Sequence, residues 1–272
     1  MGDISKAVIM ARGLGTRMRK ADGSAALSQD QMNAAGMGVK AMIPIDRPFL
    51  DYVLSGLADA GYSEVCLIIG PEHQVIRDYY TVQAPPQRVR ISFAIQEKPL
   101  GTADAVLAAR EFTGDDLFLI INSDNYYPIE TLRSLRGLDR AGVALFDRES
   151  LISLSNMPED RVLKFSVAKV SREKWLEHIY EKPLEETIRE LGFPIYVGMN
   201  CWIFSPVIYR ACLSIQPSAR GELELTDAVQ YAIDSLQEQF EVLAFRAPVL
   251  DMSSRSDIAI VAEKLQGMRP NP

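Results

Sequence analysis

Wholly apolar runs alternate with segments of helical periodicity through the first half of the chain. Ala7-Val8-Ile9-Met10, Val65-Cys66-Leu67-Ile68-Ile69 and Leu117-Phe118-Leu119-Ile120-Ile121 are apolar at every position. A strand needs that only when both of its faces are covered, so these runs predict central strands of a parallel sheet. Between them, residues 48–60 carry Leu50, Val53, Leu54 and Leu57 at the spacing of a helix with one buried face. Residues 72–80, 103–110 and 129–138 predict further helices, and Thr102 is placed to cap the second of these. Residues 89–95 alternate as a strand does. The polar, Gly- and Ala-rich segment 20–38 shows no clear period and is expected to be a long loop.

The second half is richer in strands, predicted at 142–146, 162–170, 178–181, 195–204 and 240–245. Helices are expected at 206–213, 225–236 and 256–265. The alternating order of the first half predicts an α/β fold with a doubly wound, mostly parallel sheet. Ligands of such sheets bind at the carboxyl ends of the strands. With no repeat, low-complexity tract or linker, residues 1–272 are expected to form a single domain.

Composition narrows the class. A chain of 272 residues that is 47% hydrophobic can bury a sizeable core. No apolar run is long enough to span a bilayer and no leader opens the sequence, so a cytoplasmic protein without membrane association is expected. Cys66, Cys201 and Cys212 are odd in number and sit in apolar stretches, as small core residues of a reducing compartment do. His73 and His178 are too few to favour a His-based triad or a His-rich zinc site. The net charge of −7 argues against a nucleic-acid surface. It leaves room for a small anionic substrate, because Arg12, Arg17, Arg19, Lys20 and Lys40 crowd around one glycine turn. A solvated basic face is the alternative for Arg19 and Lys20.

That turn, Gly13-Leu14-Gly15-Thr16-Arg17-Met18, follows the first apolar run directly. Its glycines let backbone N–H groups approach phosphate oxygens, and Arg17 adds a planar donor fork. A dinucleotide-binding turn would require glycine where Met18 stands, and a P-loop would require Gly-Lys-Ser/Thr. Asp124 follows the run 117–121 and would project from the carboxyl end of that strand, although a turn or helix cap would also use it. Asp251 follows Pro248-Val249-Leu250, with a helix-start turn as its ordinary alternative. Gln96 offers paired hydrogen bonds to a pyrimidine edge, or is a polar residue at a strand edge.

Gly-x-Gly-Thr-Arg-Met resembles the opening motif of the sugar-phosphate nucleotidyltransferases (NDP-sugar pyrophosphorylases), and the likeness continues in order. Lys40-Ala41-Met42-Ile43-Pro44 is similar to the family's Lys-containing segment, and Gln96-x-x-Pro99-Leu100-Gly101-Thr102-Ala103 to its base-recognition segment. Ser123-Asp124-Asn125 resembles its metal turn and Glu181-Lys182-Pro183 its sugar-phosphate motif. Glu224-Leu225-Thr226-Asp227 and Leu250-Asp251-Met252 resemble its last two signatures.

The resemblance implies a Rossmann-like, GT-A-like fold with a nucleotide-binding half, 1–140, and a sugar-phosphate half, 141–272, carrying a sugar-sized lid. It implies nucleotidyl transfer from a nucleoside triphosphate, with UTP or dTTP favoured, to a sugar-1-phosphate. Arg17, Lys40 and Lys182 would be catalytic, with nucleotide bound by Gly13, Leu14, Gly15, Thr16, Gln96, Gly101 (whose backbone leaves room for the base) and Thr102. Asp124 and Asp251 would hold Mg2+, and Glu181 and Asn200 would bind the sugar. Homo-oligomers are frequent in the family. The sugar-side strand departs from the family's Asn-x-Gly order: it reads Gly198-Met199-Asn200, where Asn200 can still adopt a positive φ. The long 20–38 segment is expected to order over bound nucleotide. Two other functions compete. A glycosyltransferase would want Asp-x-Asp where Asn122 stands, and a silent regulatory homologue would lose Arg17 or Asp124.

Overall fold

The computed structural model describes residues 3–13, 15–20 and 27–272. In chain order the elements are β1 (Lys6–Met10), α1 (Thr16–Arg19), α2 (Gln29–Met37), α3 (Phe49–Ala60), β2 (Glu64–Ile69), α4 (Gln74–Asp78), β3 (Arg90–Ile95), α5 (Thr102–Ala108) and α6 (Arg110–Thr113). Next come β4 (Phe118–Asn122), β5 (Asn125–Tyr126), α7 (Ile129–Arg136), β6 (Gly142–Asp147), α8 (Arg148–Leu154), α9 (Glu159–Val162), β7 (Ser166–Val170) and β8 (Leu176–Tyr180). The chain closes with α10 (Glu185–Leu191), β9 (Tyr196–Phe204), α11 (Val207–Ser214), α12 (Leu225–Leu236), β10 (Glu241–Phe245), β11 (Leu250–Asp251) and α13 (Arg255–Lys264).

The main sheet runs in the order β10-β6-β9-β4-β1-β2-β3, with the β7-β8 hairpin attached to β9. β1, β2, β3 and β4 are mutually parallel, and β9 runs against both β4 and β6. The expected doubly wound, mostly parallel sheet is therefore present, and the second half extends it. Alternate residues of each central strand feed two cores. Ile9, Leu67 and Leu119 pack with Leu50, Val53 and Leu57 of α3 and with Leu132 of α7. Val8, Ile68 and Ile120 pack with Val106 of α5, Ile208 of α11 and Val229 of α12. Each such fully buried aliphatic side chain contributes about 1.5–3 kcal/mol, which is why wholly apolar runs mark these strands.

Register decides where the site lies. Met10 faces both Ile68 and Asn122, and Ile69 faces Ile95, so the strands end nearly level. The loops leaving those ends carry Arg12 to Arg17, Gly70 to His73, Gln96 and Asp124 to one edge of the sheet.

The pattern and the structure differ in four places. Part of the expected loop 20–38 is α2, opened by a capping box between Ser28 and Gln31. It buries only Ala34 and Ala35 and leaves Met32 and Met37 exposed, so no stripe of large apolar residues betrays it. Residues 162–170 are not one strand: Val162 ends α9, and β7 begins at Ser166. α8 buries a single residue, Leu151, and α10 buries none, so neither leaves a helical stripe. Finally, β5 and β11 form a two-stranded antiparallel ladder too short for a period to show.

Candidate active site

A cavity of about 400 Å³ opens at that sheet edge. Gly13, Gly15, Thr16, Arg17, Lys40, Gln96, Gly101, Thr102, Asp124 and Asn200 all line it, so residues spread from 13 to 200 converge. Asp251, Glu181 and Lys182 do not line it, and Leu14 lies outside the described residues.

Gly15 takes φ 59° at the start of α1, and a Cβ there would overlap the Gly38 carbonyl. α2 thus ends against the turn, and Arg19 reinforces this by donating to the Met37 carbonyl at 3.0 Å. Arg17 is exposed on α1 at the cavity mouth. Gly15→Ala is expected to cost roughly 2 kcal/mol or more, combining positive-φ strain with the overlap. A thermal melt checks this; an unchanged midpoint would mean that the turn yields freely.

Lys40 begins a 3₁₀ turn, Lys40–Met42, and its Nζ donates to Asp124 Oδ2 at 2.7 Å. The β5-β11 ladder brings Asp251 opposite Asn125, one residue from Asp124, and Met252 N–H donates to the Asp124 carbonyl at 2.8 Å. Asp251 is nevertheless buried behind the wall. Its Oδ1 pairs with Arg161 at 2.9 Å, and its Oδ2 accepts from Asn125 Nδ2 at 3.2 Å. Burial raises the Asp251 carboxyl above the usual range, and the negative charge of Asp124 raises it further. Arg161 also spans Asp257 at 2.9 Å. Arg161 did not stand out in the sequence, because its carboxylate partners lie about a hundred residues away; Asp257 also closes a local capping box with Ser254 at the start of α13.

Two expected roles change. Thr102 is the first residue of α5 rather than its cap; its hydroxyl accepts from the Leu225 N–H at 2.9 Å, at the start of α12. Gly101, at φ 123°, does not leave room for a ligand on its bare side, because the Leu223 backbone fills it. Leu223 N–H donates to the Leu100 carbonyl at 2.8 Å, and Ala103 N–H donates to the Leu223 carbonyl at 2.9 Å. The segment before α12 is thereby pinned against the segment after Gln96.

Gln96 is buried rather than exposed at a strand edge. Its Nε2 donates to the Gly101 carbonyl at 3.0 Å and to Asp104 Oδ2 at 2.8 Å. Arg12, counted in the sequence only as local charge, has a structural task. It pairs with Glu72 at 3.2 Å and donates to the Gln96 carbonyl. Asn200 adopts φ 52°, the positive φ that its exchange with Gly198 left open to it, while a Cβ on Gly198 would press on the Ser166 hydroxyl.

Glu181 and Lys182 follow β8 and face a separate acidic group. Glu181 lies 3.7 Å from Arg220, which also pairs with Glu224 at 2.5 Å. Burial first, and Glu224 second, raise the Glu181 carboxyl. Lys182 is exposed, with φ 47°.

The sequence profile of the family described as Nucleotidyl transferase matches residues 6–247. The chain belongs to that family. Within it, the Haloferax volcanii protein named low-salt glycan biosynthesis nucleotidyltransferase Agl11 is 30% identical over 241 residues, covering 85% of this chain and 59% of that protein. The glucose-1-phosphate thymidylyltransferase of Streptomyces griseus is 32% identical over 233 residues, covering 85% and 58%. This nucleotidyl transferase chain therefore spans well under two thirds of the length of these relatives. A crystal structure of UDP-glucose pyrophosphorylase complexed with UDP-glucose superposes with a TM-score of 0.75, covering 98% of this chain and 100% of that one. At 18% identity it speaks to the fold alone. Among the described residues, no helix is long and apolar enough to cross a membrane.

Proposed function

We propose that this chain transfers a nucleotidyl group from a nucleoside triphosphate, UTP or dTTP, to a sugar-1-phosphate, releasing pyrophosphate. The observation that carries the reading is the convergence in one cavity of the glycine turn with Arg17, the Lys40–Asp124 pair and Gln96. The acceptor's phosphate oxygen would attack the α-phosphorus as the bond to the bridging α,β-oxygen breaks. Two polyanions must meet, so the site has to cancel repulsion before it can orient anything.

The backbone of Gly13 to Thr16 would cradle the triphosphate, with Arg17 taking charge that develops on the leaving pyrophosphate. Lys40 fixes one oxygen of Asp124 and adds a cation at the same wall. Asp124 and Asp251 would hold Mg2+, which would supply further positive charge against the triphosphate. Their chemistry fits that ion: both offer hard carboxylate oxygens, and Asp124 sits close enough for its charge to raise the Asp251 carboxyl. Among the described residues no cluster of three or more His, Cys, Asp or Glu side chains forms a metal cage. Asp124 keeps one oxygen that accepts no hydrogen bond from a described residue, whereas Asp251 would have to release Asn125 or Arg161 to reach the ion. Lys182, Glu181 and Asn200 are assigned to the sugar phosphate, residues 1–140 to the nucleotide and 141–272 to the acceptor. A cytosolic setting accords with three free, buried thiols.

Incubating the protein with UTP or dTTP, Mg2+ and a panel of sugar-1-phosphates is expected to release pyrophosphate dependent on both substrates. No release with any nucleotide would overturn the reading.

A further inference from the structure

We propose that Asp104 sets the polarity of the Gln96 side-chain amide, and that this polarity makes the cavity choose bases presenting a ring N–H. The inference rests on the reading above, in which Gln96 meets the base, and adds to it the residue that decides which bases Gln96 accepts.

A glutamine amide has a donor end and an acceptor end of nearly the same shape, so by itself it can serve opposite hydrogen-bond patterns by turning over. Here it cannot turn. Nε2 has two N–H groups, and both are used: one on the Gly101 carbonyl at 3.0 Å, the other on Asp104 Oδ2 at 2.8 Å. A backbone carbonyl and a carboxylate only accept, so reversing the amide would set Oε1 against two acceptors. Both bonds would be lost, and repulsion from a full negative charge would be added.

The rest of the residue is held as well. Its N–H donates to the Ile69 carbonyl at 2.9 Å, and its own carbonyl accepts from Arg12, which Glu72 anchors in turn. Oε1 accepts no hydrogen bond from any described residue, and Gln96 lines the cavity. The amide therefore meets a ligand as a fixed acceptor. Uracil and thymine answer it with N3–H, and guanine with N1–H. Cytosine N3 and adenine N1 are themselves acceptors there, so these bases could meet Oε1 only by shifting in the cavity to offer an exocyclic amine instead. Asp104, in the first turn of α5, does not line the cavity. It is a positioning residue and acts only through Gln96.

The test compares wild type with Asp104→Leu and Asp104→Asn. Dissociation constants for UTP, dTTP, GTP, CTP and ATP are measured by calorimetry, and kcat/KM for the same nucleotides by pyrophosphate release. Wild type is expected to favour UTP and dTTP over CTP and ATP. Asp104→Leu frees one N–H and removes the charged half of the constraint, leaving only the Gly101 carbonyl against reversal, and should shrink the UTP-to-CTP ratio about tenfold with kcat at saturating UTP little changed. Asp104→Asn can still accept through Oδ1 and should stay within about threefold of the wild-type ratio. Should the leucine variant fail to fold, Asp104→Ala takes its place. The inference is overturned if wild type prefers CTP or ATP, if the leucine or alanine variant keeps the wild-type ratio, or if the asparagine variant loses it equally. Failure of wild type to bind any nucleotide would overturn the proposed function itself. Nucleotide binding with unaltered selectivity would overturn only the role of Asp104.

Discussion

Asp124→Ala is expected to lower turnover by at least about a thousandfold while leaving the fold in place. Of the two acids assigned to the metal, only Asp124 lines the cavity. One of its oxygens rests on Lys40, and the other accepts no hydrogen bond from a described residue. Asp251 lies behind the wall with both oxygens engaged, so it cannot substitute for the missing carboxylate. Stability should change little. Lys40 loses its partner at a wall that water reaches, a loss of about 1 kcal/mol or less. In return Asp251 loses the negative neighbour that raises its carboxyl. Pyrophosphate release, measured beside a circular-dichroism melt, separates the two effects. A variant keeping more than a tenth of wild-type turnover would remove Asp124 from the chemistry; one that melted far lower would make it a structural residue.

Local chemistry made the cavity legible and long-range pairing did not. The turn 13–17 could be read because three consecutive facts, an apolar strand, two glycines and a cation, occur within a dozen residues. Asn200 could be read because a residue forced to positive φ must be glycine or something that tolerates it, and Asn does. α2 stayed hidden because a helix that buries only alanines has the composition of a loop. The tie of Thr102 and Gly101 to the segment before α12 is not legible in the sequence for one reason: that segment lies more than a hundred residues later, and no local pattern announces a partner at that distance. Arg12 belongs to the same class. Its charge was plain, but its task of holding Glu72 and the Gln96 carbonyl follows only from β1, β2 and β3 ending level.

Arg161→Met is expected to be the most destabilising single change near the site, at about 3–5 kcal/mol. Arg161 lies between two nearly enclosed carboxylates, Asp251 and Asp257, at 2.9 Å from each. Methionine fills much the same volume but brings no charge, so two buried acids would face each other without a cation. Asn156, which brackets Asp251 through its backbone N–H and carbonyl, would hold the strand but not neutralise it. The pH dependence gives the sign. The Asp251 carboxyl is already raised in the folded protein, by burial first and Asp124 second, against the pull of Arg161. Removing that pull raises it further. An acid whose folded value exceeds its unfolded one binds protons more tightly when folded, so the destabilisation is full above the folded value. It is relieved as pH falls through that value. The melting deficit of the variant, roughly 10 °C at neutral pH, should therefore narrow as pH falls from neutral into the acid range. Melts of both proteins across that range check it: a deficit that widens on acidification, or that is absent at pH 7, would mean that this guanidinium does not hold Asp251 in place.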